Sequence, residues 1–136
     1  AARAVIAAIK ALTPQPVRYV VNSHWHWDHW YGTEAYREAF PGVQVIAQER
    51  TKAMMAGPAI EFNRPGLERD LPGYLTMLEE RLTGTPAPQN PAALRDRITM
   101  GRWFLAEKRA VRHVLPDVTY RDRHVLTLGG REMQLV

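Results

Sequence analysis

VRYVVNSHWHWDHW, residues 17–30, joins two patterns that decide how the chain is read. Its first half, VRYVVN, is rich in β-branched and aromatic residues with no polar alternation at its end, which predicts a buried strand over 17–22. Its second half sets His24, His26, Asp28 and His29 within six positions and places Trp25, Trp27 and Trp30 between and after them. Packing would explain one such histidine. It does not explain four ligand-type side chains directly after a strand, because burying or charging that many imidazoles together costs free energy unless a cation organises them.

In an extended segment His24 and His26, two apart, project to the same side and can share one ion, while Asp28 and His29 add a carboxylate and a third imidazole one turn further on. Nitrogen and oxygen donors of this kind suit Zn²⁺ best, with Fe and Mn as competitors. The place also fits, since ligands in open α/β sheets sit at the carboxyl ends of strands.

Outward from this stretch, Val5, Ile6, Ile9 and Leu12 stand at helical spacing over residues 2–12, and TPQP stops that helix. Thr33 is the predicted cap of a short helix through Phe40, ended by Pro41-Gly42, and VQVIA at 43–47 reads as the next strand. Helix, strand, helix, strand predicts an α/β fold with neighbouring parallel strands. ERTKAMMA, closed by Gly57-Pro58, reads as another short helix. Leu71, Leu75, Leu78 and Leu82 then form one helical stripe, and Leu94, Ile98 and Leu105 form a second after the start signal Asn90-Pro91. GTPAPQN joins them, so residues 72–110 are predicted to be an antiparallel helical hairpin whose stripes pack on each other. HVLTL, Gly129-Gly130 and REMQLV predict a β-hairpin with Met133 and Leu135 on one face and Glu132 and Gln134 on the other.

A length of 136 residues suits one domain, 1–136, with a core of its own. The net charge of +4 comes from basic residues dispersed among acidic ones, as in LERD and RDRH, so no nucleic-acid groove is expected. No apolar run approaches a membrane span, and Arg3 and Lys10 break up the apolar N-terminus, which argues against a signal peptide. Cysteine is absent, so thiolate ligands and disulfides play no part, and the compartment is left open between cytoplasm and periplasm. The oligomeric state is equally open.

HWHWDH resembles the H-x-H-x-D-H motif of the metallo-β-lactamase superfamily. The likeness extends over about residues 2–55 and again over the tail LTLGGREMQLV. It implies an αββα sandwich, of which this chain is a part, with residues 58–112 as a helical insertion within the domain. It implies hydrolysis of an amide, ester, lactone or thioester in a small-molecule substrate with one or two zinc ions. His24 and His26 would then bind the first metal and Asp28 and His29 the second. Asp28 would also orient a metal-bound hydroxide, available because zinc lowers the pKa of its water to about 7.

The same resemblance implies a later histidine and a further Asp and His as ligands, none of which stands in a matching context here. His113 follows the inserted helices and His124 opens a strand, so both read as structural or surface residues. The chain begins inside a helix and stops on Val136 inside a strand, so both ends are expected to be cut from a longer protein that carries the remaining ligands. Relatives often have a glycine pair where this sequence has Trp30-Tyr31-Gly32. Trp30 and Tyr31 are therefore candidates for an aromatic wall of the substrate pocket, or for packing against the inserted helices. Trp25 and Trp27 are expected to face away from the metals and hold the loop. A competing reading from another class is a non-catalytic metal-binding domain whose helical hairpin docks a partner.

Overall fold

The computed structural model describes residues 1–136, with helix and strand mixed as an α/β fold requires. The chain divides into two compact units, Ala1–Ile60 with Arg112–Val136, and Glu61–Val111.

In the first unit, α1 (Ala2–Leu12) leads to β1 (Tyr19–Asn22), α2 (Thr33–Ala39), β2 (Gln44–Gln48) and α3 (Glu49–Met55). β1 and β2 are parallel, with Asn22 opposite Ala47 at the end of the register, as the order of elements predicts. A further strand, β3 (Val118–Tyr120), pairs parallel with the other edge of β2. β2 is thus the central strand, and Val45, Ile46 and Ala47 are all fully buried, which requires cover on both faces. β1 is an edge strand. Val21 is 41% exposed there, so the strand predicted to be buried is covered on one side only.

One core of this unit gathers Ile6 of α1, Ala35 of α2, Phe40 and Val43, with Ile9 and Val20 packed against it. Val5 and Leu12, expected on the same stripe, are exposed: α1 turns its Ala2, Ile6 and Ile9 face inward. Gly32 lets the helices approach, because a Cβ there would stand 2.8 Å from that of Ala2. β3 is fastened by Asp117, whose N–H donates to the Val45 carbonyl at 2.8 Å. Its carboxylate accepts from Val45 N–H at 2.9 Å and from Arg37 at 2.5 Å. β4 (His124–Leu128) and β5 (Arg131–Leu135) form the predicted antiparallel hairpin, turning on Gly129 and Gly130 at φ of 58° and 74°, where side-chain-bearing residues are strained.

α4 (Pro58–Pro65) starts at the proline that was expected only to end α3, and it runs from the first unit into the second. Within the second unit a π-helical turn, Gly66–Asp70, leads into α5 (Leu71–Thr83), and α6 (Pro91–Arg109) follows a loop. Leu78, Leu94 and Ile98 form its core, flanked by Leu82. Leu75 is buried as well, and Arg102 pairs with Glu79 at 2.6 Å on the exposed side.

Candidate metal centre

The loop 23–32 leaves the carboxyl end of β1 and enters α2. The chain bends there rather than staying extended: His26 is the last residue with strand-like dihedrals, and Trp27–His29 form a turn of 3₁₀ helix. His29 N–H donates to the His26 carbonyl at 3.0 Å and Tyr31 N–H to that of Trp27 at 3.0 Å. At about three residues per turn, this winds His29 back toward the start of the loop.

The result is a group of imidazoles centred on His24. Its ring centroid lies 3.9 Å from that of His29 and 4.9 Å from that of His26. Spacing alone predicts His24 beside His26, but His29 is the nearer neighbour. Ser23 Oγ lies 3.1 Å from His24 Nδ1 and 3.4 Å from His29 Nδ1, so one hydroxyl bridges the two rings and leaves the Nε2 of His24 for another partner. Asp28 Oδ2 is 3.5 Å from His29 Nε2. His24 is half-buried; desolvation, then the neighbouring His29 and His26, lower its pKa against the opposing pull of Asp28. The shift favours the neutral imidazole, the form that ligates metal.

Three imidazoles and a carboxylate are the donor chemistry of a zinc site, and the loop brings them together. Their donor atoms do not converge: no three His, Asp or Glu side chains surround a common point at ligand distance. Asp28 and His29 are about half exposed, 54% and 43%, so both can turn toward a shared ion without unpacking the core.

The tryptophans separate in role. Trp30, a candidate for the pocket wall, is 1% exposed in a second core with Met55 and Ala59, and its Nε1–H donates to the Trp25 carbonyl at 2.8 Å. A ring so enclosed offers no surface to substrate. Trp25 packs against that core, yet its ring also stands 4.3 Å from that of His26, so it does not face away from the candidate ligands as expected; Trp27 is half-buried outside the core, 6.3 Å from Tyr31. Tyr31 remains half-buried, and desolvation raises its pKa. His113 is an exposed residue with a structural contact, its ring 5.1 Å from Trp30 and 5.0 Å from Tyr31, and desolvation lowers its pKa. His124 lies 6.1 Å from Tyr120.

Two contributors went unread in the sequence. Ser23 is one. Asn22 is the other: it is 2% exposed at the end of β1, and its Nδ2 donates to the His29 carbonyl at 3.2 Å and to Thr33 Oγ1 at 3.4 Å. Thr33 is therefore the first residue of α2 and a partner of Asn22, while Gly32 occupies the cap position predicted for it. A recess of about 510 Å³ lined by Arg81 and residues 84–89 belongs to the second unit and contains no metal-ligand side chain.

The model of the metallo-beta-lactamase superfamily matches residues 1–128. No curated protein and no solved structure matches the chain. The H-x-H-x-D-H loop stands at the end of a parallel strand within the matched span, and the chain belongs to the metallo-β-lactamase superfamily.

Proposed function

We propose that this chain carries the metal-binding loop of a zinc-dependent hydrolase that acts on an amide, ester, lactone or thioester of a small molecule. The superfamily consists mostly of metallo-hydrolases, and its members generally bind metal ions, often zinc. The observation that carries the reading is the gathering of His26 and His29 around His24 at the carboxyl end of β1. His24, His26, Asp28 and His29 would hold one or two ions, with Fe or Mn as competitors for the same donors. Zinc, when bound, supplies a water ionised near neutral pH and a Lewis acid for a carbonyl. Asp28, exposed beside His29, is suited to orient a nucleophile and to hold a proton, and half-buried Tyr31 is suited to meet the substrate. In this reading the three-stranded sheet is one layer of an αββα sandwich formed by a single domain. Residues 58–112 are a helical hairpin inserted into that domain.

Zinc titration of the chain, followed by assay on a panel of generic esters, lactones and β-lactams, tests the proposal. Zinc uptake by this chain is expected, with turnover in the protein that also carries the later ligands the resemblance implies, where Asp28→Asn should lower kcat more than it changes KM. Absence of zinc uptake would sink the metal reading, and zinc uptake without turnover by that protein on any substrate would favour a non-catalytic metal-binding domain.

A further inference from the structure

We infer that Asn22 is the positioning residue of the metal loop, fixing its two ends through a single side-chain amide. The amide has two N–H bonds and spends them on the two places where the loop closes: the His29 carbonyl at 3.2 Å and Thr33 Oγ1 at 3.4 Å. Asn22 is itself held by the β1–β2 register opposite Ala47, so the bonds tie a ligand-bearing turn to the rigid sheet. The bond to the His29 carbonyl fixes the peptide that follows His29, and with it the backbone from which the imidazole projects. The amide orientation is dictated by its partners, since an amide oxygen in place of Nδ2 would face the His29 carbonyl oxygen.

The cost of this arrangement shows that packing is not its purpose. Asn22 Oδ1 is buried and has no hydrogen-bond partner, a penalty that a leucine of similar size would avoid. Asn22 therefore exchanges stability for the position of His29. Its effect on metal rests on the hydrolase reading above; its effect on the loop does not.

The test uses the whole chain with Asn22→Leu, and with Thr33→Val, which keeps shape but removes one of the two acceptors. Zinc affinity is measured by competition with a chromophoric chelator, and amide hydrogen exchange is followed in metal-free protein. Asn22→Leu is expected to weaken zinc binding by about 10–100-fold, the usual cost of losing a group that orients a ligand, and Thr33→Val to weaken it less. In the metal-free protein, exchange at the His29, Trp30 and Tyr31 amides should accelerate while Val45, Ile46 and Ala47 keep their protection. Unchanged zinc affinity with unchanged loop exchange would overturn the inference, and so would equal loss of protection in loop and sheet, the mark of a purely structural role. If Asn22→Leu does not fold, Thr33→Val decides by the same readouts. If the unmodified chain takes up no zinc, the hydrolase reading fails and exchange alone judges Asn22.

Discussion

The segment from Asn22 to Thr33 and the helices α5 and α6 are built on opposite principles. The helices rest on interchangeable aliphatic burial at Leu75, Leu78, Leu94 and Ile98, and their ion pairs, such as Arg102 with Glu79, lie on exposed surface. In the loop segment the buried groups are polar or part-polar: Asn22 and Thr33 share a hydrogen bond, and Trp30 is enclosed while its Nε1–H donates to a backbone carbonyl. Apolar burial tolerates shifts of a few tenths of an ångström, whereas hydrogen bonds specify direction. Stability and placement are thus carried by different parts of the chain.

The strongest way to break this comparison is a core truncation in the helices. Leu78 is 3% exposed, and Leu78→Ala should cost about 2–5 kcal/mol of stability, read as a lower denaturant midpoint. Zinc affinity at low denaturant should not move. A parallel loss of affinity would show that the loop depends on the helices for its geometry.

Acid provides a smaller perturbation aimed at the sheet side. Desolvation pushes the Asp117 carboxyl up, but the bonds from Arg37 and Val45 N–H, with the charges of Arg37 and Lys52, outweigh it and hold its pKa below 3.8. Glu34 is held below 4.5, first by the Arg112 backbone N–H and then by the Arg112 side chain. Both groups bind protons more weakly folded than unfolded, so the stability they contribute is complete above those values and is lost as pH falls through the folded ones. Circular dichroism from pH 6 to pH 2 should show stability declining below about pH 4.5, and Asp117→Asn should flatten the lower part of that decline. A decline starting near neutrality, or one unaffected by Asp117→Asn, would remove β3 from this account.

Much of this was legible because periodicity reports burial. The runs at 17–22 and 43–47 are rich in β-branched residues and became parallel strands, and the leucine stripes became α5 and α6. Periodicity does not say which side of a helix finds a partner, so Val5 and Leu12 share a stripe with Ile6 and Ile9 in the sequence and are exposed in the fold. Proline both stops and opens helices, so Gly57-Pro58 reads as the end of α3 and does not announce α4. β3 has only three residues, too few for alternation to register, and depends on Asp117 reaching Val45 far earlier in the chain. In the site, the donor types were legible because their chemistry is local. The enclosure of Trp30 was not, since it depends on Met55 and Ala59, and neither was the role of Asn22, which depends on Thr33.

The smallest expected effect sharpens the contrast in a different way, since it places a directional hydrogen bond inside the helical unit. Asn90 Oδ1 accepts from Ala93 N–H at 3.0 Å, capping α6 in front of Pro91. Asn90→Ala should cost about 1 kcal/mol, and the loss should appear as faster exchange confined to the first turn of α6, where the orphan N–H groups lie. The rest of α6 is secured by Leu94 and Ile98, so fraying should stop at Leu94. Asn22 and Asn90 both bond backbone from the edge of an element, yet only Asn22 bonds the backbone of a proposed metal ligand. Asn90→Ala should therefore leave zinc affinity and the exchange of the His29–Tyr31 amides unchanged, and any effect there would mean that directional bonds in this chain act through stability after all.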